Sequence, residues 1–86
     1  MYKEIKEILA KAKEDNVDIG VAFDKLEKTD ERKKAFSFLQ ENQVAILKLH
    51  NAGRDEELKV LCNMGLAGVS VWKYIDALYS EGVIER

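Results

Sequence analysis

Several residue types are scarce in this chain of 86 residues, and each scarcity excludes a class of protein. Proline is absent, so no pyrrolidine ring interrupts a long helix. A single cysteine excludes an internal disulfide, and one cysteine with one histidine cannot supply the four soft ligands of a structural zinc site. No apolar run approaches the ~20 residues of a membrane-spanning helix, and the first 15 residues are too charged for a secretory signal. We therefore expect a cytoplasmic protein with no membrane association, no metal site and no cofactor.

Catalytic motifs are also lacking. The chain has no Ser-His-Asp set, no phosphate-binding glycine loop and no metal-ligand cluster. Asp55, Glu56 and Glu57 are consecutive, so on a helix they cannot face one point, and complementing the helix dipole explains them better than acid–base chemistry. Asp24 and Glu27 lie among lysines and are expected to be solvated. We expect a protein that is not an enzyme.

The charge is close to balanced, with a net value of −2. Residues 1–34 hold nine basic and nine acidic side chains, whereas residues 35–86 hold five basic and seven acidic ones. No basic tail or run of like charge exists, so composition alone gives no argument for a nucleic-acid partner.

Apolar residues recur at helical spacing along most of the chain, which predicts a mainly α protein with at most a vestigial β-strand at its C-terminus. We expect helices over 2–14, over a short stretch capped by Asp18, and over 31–51, the last as one helix or as two that break near Asn42. Asp55 is expected to cap the following helix. The chain is predicted to be one domain, 1–86. Within it, 1–42 form N-terminal helices that could supply a dimer surface, and 43–86 form a separate helical core.

That core centres on a glycine. Leu58, Leu61 and Cys62 form a helical stripe that stops at Gly65, and a second stripe follows at Val71, Tyr74, Ile75 and Leu78. Two short helices joined by a tight glycine turn are typical of a helix-turn-helix, because a residue just past a helix often needs a positive φ. We therefore predict a turn at Gly65 and a second helix over 69–81.

From 43 to 86 the sequence resembles the core of winged helix-turn-helix transcriptional regulators. The resemblance rests on the helix ending in Asn-Ala-Gly, the next helix, the Gly65 turn, a further helix and the final EGVIER, which is similar to the entry into a wing. It implies that Val60, Met64, Leu66, Val71 and Tyr74 are buried. Leu61 occupies a position where that family prefers a small residue, and after Val83-Ile84 no room is left for a second wing strand.

The resemblance implies that the 69–81 helix reads double-stranded DNA, and it allows a homodimer whose two-fold symmetry supplies the second half-site. Its implied contact positions are Ala67, Gly68, Ser70, Trp72, Lys73 and Asp76, with phosphate contacts from Lys48, Arg54, Lys59 and Lys73. Residues 54–86 hold four basic and six acidic groups, a balance that opposes attraction to a polyanion.

The alternative is a protein-interaction adaptor or inhibitor on the same scaffold. Trp72 is predicted to project from a flank of its helix beside Ala67, Val69 and Tyr79, which is typical of a binding hot spot. The competing interpretation is that Trp72 packs under the N-terminal helices of its own chain. His50 is expected to be a helix-end or half-buried residue, and Cys62 an inert core thiol.

Overall fold

The protein is all-helical in the computed structural model, which describes all 86 residues. Six helices account for 72% of the chain and no strand is present, which confirms the mainly α prediction. The helices are α1 (Tyr2–Asp15), α2 (Ile19–Asp24), α3 (Asp30–Glu41), α4 (Gln43–Asn51), α5 (Asp55–Leu66) and α6 (Trp72–Ser80). The chain divides into two compact units, Met1–Glu41 and Asn42–Arg86.

In the first unit, α1 packs against α2 and α3. The predicted apolar stripe of α1 points inward, since Ile5 and Ile8 are fully buried and Leu9 is nearly so. The prediction that Asp18 caps α2 is confirmed, because its Oδ1 accepts a hydrogen bond from the Val21 N–H at 2.9 Å. Such a bond satisfies one of the backbone donors that a helix N-terminus leaves unpaired.

Polar contacts tie the helices of the first unit together. Arg32 on α3 forms an ion pair with Glu7 on α1, with 2.7 Å between Nη2 and Oε2. The rings of Phe23 and Phe36 stack in parallel, with 4.1 Å between their centroids. These contacts join α1 to α3 and α2 to α3, so the unit has specific side-chain pairings in addition to its buried aliphatic residues.

In the second unit, α4 packs against α5. Of the two alternatives predicted for this stretch, two helices that break near Asn42 are observed and a single long helix is not, since α3 ends at Glu41 and α4 begins at Gln43. The buried side chains come from α4, α5, α6 and the C-terminal segment, and they are Ala45, Ile46, Leu49, Leu58, Leu61, Cys62, Leu78 and Ile84.

The end of α4 shows how glycine closes a helix in this unit. Gly53 adopts a φ of +70°, and this turn lets the Arg54 N–H donate to the Leu49 carbonyl at 2.9 Å. The predicted glycine end of this helix is therefore confirmed. The predicted capping role of Asp55 is wrong, because Asp55 is already the first residue of α5 and the N-cap position is Arg54, which makes no side-chain cap bond.

None of the six helices combines the length and the hydropathy that crossing a bilayer would require.

Candidate functional site

The turn between α5 and α6 lies three residues later than the sequence pattern predicts. Gly65 is inside α5, which continues to Leu66, so the prediction that it forms the turn is wrong. Gly68 is the glycine with a positive φ, at +74°. Its own N–H donates to the Gly65 carbonyl at 3.1 Å, and the Val69 N–H donates to the Met64 carbonyl at 3.0 Å. These two bonds cap the last carbonyls of α5, so Gly68 and not Gly65 ends the helix.

The second helix of the pair is correspondingly shorter than the predicted 69–81. Helix α6 begins at Trp72 and ends at Ser80, so Val69 and Ser70 lie in the connection between the helices. We call residues 66–72 the connecting segment. It contains no charged residue, and all of its side chains except that of Val71 are exposed.

Three large apolar side chains in the connecting segment face solvent. Leu66 is 64% exposed, Val69 is 53% exposed and Trp72 is 60% exposed. Within the second unit Trp72 is therefore at the surface, and the interpretation that it packs under the N-terminal helices stays a prediction. Large apolar side chains exposed singly are ordinary on protein surfaces, whereas three within seven residues of the chain are a local concentration of exposed apolar surface.

Helix register accounts for the exposure of Trp72 but not for that of Leu66. Leu58, Leu61 and Cys62 face the interior of the second unit, and Leu66, one turn after Cys62, lies toward the same side of α5 but is the last residue of the helix. On α6, Leu78 is buried, and Trp72 lies about 120° around the helix from it, since six residues advance a helix by about one and two-thirds turns. The register of α6 therefore turns Trp72 outward.

Most of the residues that the resemblance singles out for contact with a partner are exposed, and only Lys48 among them is half-buried. Ala67 is the C-cap of α5, Ser70 lies in the connection, and Lys73 and Asp76 lie on α6. Lys59 is exposed on α5. Their assignment as binding residues stays a prediction.

Two charged groups of this set have defined contacts. The Lys73 ammonium lies over the Trp72 ring, 5.7 Å from its centroid, and therefore accompanies the indole at the surface. Arg54 Nη1 lies 3.4 Å from Glu57 Oε1, in the first turn of α5. Arg54 therefore forms an ion pair with a neighbouring carboxylate, whereas Lys73 contacts the Trp72 ring.

The burial implied by the helix-turn-helix resemblance is only partly observed. Met64, Val71 and Tyr74 are half-buried. Val60 and Leu66 are wrong as buried positions, since they are 45% and 64% exposed. For Val60 the physical reason is the register of α5, because Val60 lies on the side of the helix opposite to Leu58, Leu61 and Cys62. Leu66 follows Leu58 and Cys62 at the spacing of the buried stripe, so the sequence pattern predicts its burial, and the structure exposes it as the last residue of α5.

The remaining reactive side chains are not arranged for chemistry. Cys62 is fully buried, and burial raises the pKa of its thiol to about 11, so the nucleophilic thiolate is suppressed. His50 lies in the last turn of α4 and is half-buried, as expected. No three His, Cys, Asp or Glu side chains are grouped so that they could hold a metal ion.

Comparison of the chain with protein families, with curated proteins and with solved structures finds no match.

Proposed function

We propose that this chain is a non-catalytic protein-interaction module that docks through the connecting segment. The observation that supports this proposal is Trp72, which is 60% exposed in a stretch that has no charged residue. Tryptophan is the residue type most enriched among interface hot spots, and an apolar centre with a polar rim is the usual anatomy of such a site. Lys73 and Asp76 provide that rim next to Trp72.

The partner that fits is a protein with an apolar pocket large enough for an indole ring. Because Lys73 stays over the ring, a carboxylate at the rim of that pocket would complement it. A full tryptophan side chain amounts to about 250 Å², so the exposed part of Trp72 is roughly 150 Å². At about 25 cal/mol per Å², its burial would contribute up to about 4 kcal/mol of binding free energy.

The first experiment identifies the partner at this surface. A photo-crosslinking amino acid is placed at position 72 and, as a matched control, at position 44, where Val44 is 63% exposed on α4. A protein that crosslinks from position 72 and not from position 44 is then purified. If both positions crosslink the same proteins with equal yield, the connecting segment is not a docking site.

The second experiment measures the affinity of the purified partner by calorimetry. Trp72→Ala is expected to weaken binding by about 2–4 kcal/mol, whereas Val44→Ala is expected to change it by less than about 0.5 kcal/mol. Circular dichroism should be unchanged in both variants, because both side chains are exposed. Equal affinities for Trp72→Ala and the unsubstituted chain would contradict the proposal.

DNA binding is the second candidate, as a small transcriptional regulator. It is supported by two short helices joined through a glycine turn and by the exposed Lys73 in the first turn of α6. It is opposed by the local excess of acidic residues over 54–86. Fluorescence anisotropy with a labelled mixed-sequence duplex at low salt tests it, with Lys73→Ala expected to weaken any binding. No anisotropy change at low salt would exclude this candidate. The homodimer stays a prediction that sedimentation equilibrium can test.

A further inference from the structure

We propose that a second site, separate from the connecting segment, binds a small organic anion through Lys48 and Arg86. The site is a cleft of about 630 Å³ between the C-terminal end of α4 and residues 82–86. Its ligand would be a carboxylate or phosphate group on a compact apolar body. The inference does not rest on the protein-interaction proposal, because none of the residues that line the cleft belongs to 66–72.

Two cations are gathered at one aromatic ring beside this cleft. The Lys48 Nζ lies 5.1 Å from the centroid of the Tyr79 ring, and the Arg86 Cζ lies 4.7 Å from the same centroid. The two positive charges are therefore at most about 10 Å apart. Neither side chain forms an ion pair with a carboxylate. Two unneutralised cations held this close favour an anion that contacts both.

Both cations retain hydrogen-bond donors for such an anion. The Lys48 ammonium donates to the backbone carbonyl of Glu85, which leaves two of its three N–H groups. The Arg86 guanidinium makes no hydrogen bond, so its donor fork remains available. A planar guanidinium matches the two oxygens of a carboxylate or phosphate, and the exposed Asn51 amide lines the same cleft.

The walls of the cleft select for a small ligand with an apolar part. Ala52, Val83 and Ile84 line it. Ile84 is only 4% exposed, and the Val83 N–H donates to the Leu78 carbonyl at 3.0 Å, so this wall is fixed by the end of α6. Such a surface gains free energy when it covers an apolar body.

The charge of the lining limits the ligand further. The cleft is lined by the two cationic side chains of Lys48 and Arg86 and by the carboxylate of Glu85. A single carboxylate or phosphate group can contact the two cations alone, whereas a polyanion would also meet the carboxylate of Glu85. The cleft is therefore better suited to a small anion than to a nucleic acid.

The test is an NMR titration of the isotope-labelled full chain with four matched probes at pH 7. Benzoate combines the anion with an apolar ring, benzamide is its neutral analogue, benzylammonium reverses the charge, and inorganic phosphate lacks the apolar body. We expect saturable amide shifts at Ala52, Gly82 and Val83 with benzoate, at a Kd on the order of 1 mM. Benzamide and benzylammonium are expected to bind at least about tenfold more weakly, and phosphate is expected to bind more weakly than benzoate.

Variants connect the binding to the two cations. Lys48→Gln and Arg86→Gln are each expected to weaken benzoate binding about tenfold, and Lys48→Arg, which keeps the charge, should retain it. Lys59→Gln is the control, since Lys59 is an exposed cation outside the cleft. The proposal is overturned if benzoate and benzamide produce the same shifts, or if Lys59→Gln weakens benzoate as much as Arg86→Gln does. Phosphate equal to benzoate would overturn the apolar part of the proposal.

Discussion

Replacing Gly68 by alanine tests the helix ending that turns the connecting segment outward. Gly68 has a φ of +74°, a conformation that costs an L-residue with a Cβ roughly 1–2 kcal/mol. An added Cβ would meet no atom within 4 Å, so the cost is conformational and not steric. Alanine also lowers the entropy of the unfolded chain, which returns about 0.4–1 kcal/mol. The net expectation is a loss of roughly 0.5–1 kcal/mol in the free energy of unfolding.

Urea denaturation followed by circular dichroism measures this loss. With a slope near 1 kcal/mol per M for a chain of this size, the midpoint should fall by about 0.5–1 M. Gly68→Asn is the matched variant, because asparagine tolerates the left-handed region better than alanine does. Its urea midpoint should lie between that of Gly68→Ala and that of the unsubstituted chain. Gly20→Ala is the control, since Gly20 is helical without a positive φ and alanine there should raise the midpoint. A rise in the midpoint for Gly68→Ala would refute the assignment of Gly68 as the residue that ends α5.

Three further measurements test other parts of the structure. Leu61→Ala should lower the free energy of unfolding by about 2–5 kcal/mol, because Leu61 is fully buried. Val60→Ala, at the exposed neighbouring position, should lower it by less than about 1 kcal/mol. Equal losses for the two variants in thermal melts would contradict the register of α5. Hydrogen bonds from Lys25 and Lys11 hold the pKa of Asp15 below its ordinary value. The ionised Asp15 carboxylate therefore stabilises the fold above pH 3.8, and this stabilisation is lost as the pH falls through the lowered pKa. An Asp15→Asn variant with the same acid unfolding profile as the unsubstituted chain would contradict this expectation. Burial raises the pKa of the Cys62 thiol to about 11, so the free energy of unfolding should decline as the pH rises from 9 towards 11. Alkylation of Cys62 by iodoacetamide at pH 8 should be slow until urea unfolds the chain. Fast alkylation of the folded chain would place the thiol at the surface.

Local signals in the sequence were sufficient for most of the helices. The Asp18 cap and the spacing of Ile5, Ile8 and Leu9 depend on residues within one or two turns of each other, and both are found as predicted. The break near Asn42 and the glycine end of α4 are local in the same way. These interactions are decided by the neighbouring backbone, which the sequence specifies directly.

The turn between α5 and α6 could not be placed from the same kind of signal. Gly65 and Gly68 are three residues apart, and either could end a helix. In the structure α5 continues to Leu66, and Gly68 has the positive φ. No local feature of the sequence ranks one of these glycines above the other as the end of the helix.

The connecting segment and the anion cleft differ in how far the sequence predicts them. A flank position for Trp72 follows from the helical positions of Tyr74, Ile75 and Leu78. The cleft beside Tyr79 joins residues up to 38 positions apart, and the approach of Lys48 to Arg86 results from the fold of the 82–86 segment. No sequence spacing predicts such a contact.

The exposure of Trp72 is the central claim, and the fluorescence of this single tryptophan measures it directly. With 60% of the Trp72 side chain exposed, the folded chain should emit at nearly the same wavelength as free N-acetyltryptophanamide. Acrylamide should quench the Trp72 fluorescence with more than half the efficiency with which it quenches N-acetyltryptophanamide. Unfolding in urea should then change both values only slightly. A blue-shifted emission that resists acrylamide in the folded chain and shifts to the red on unfolding would show a buried indole, and the proposed docking surface would not exist.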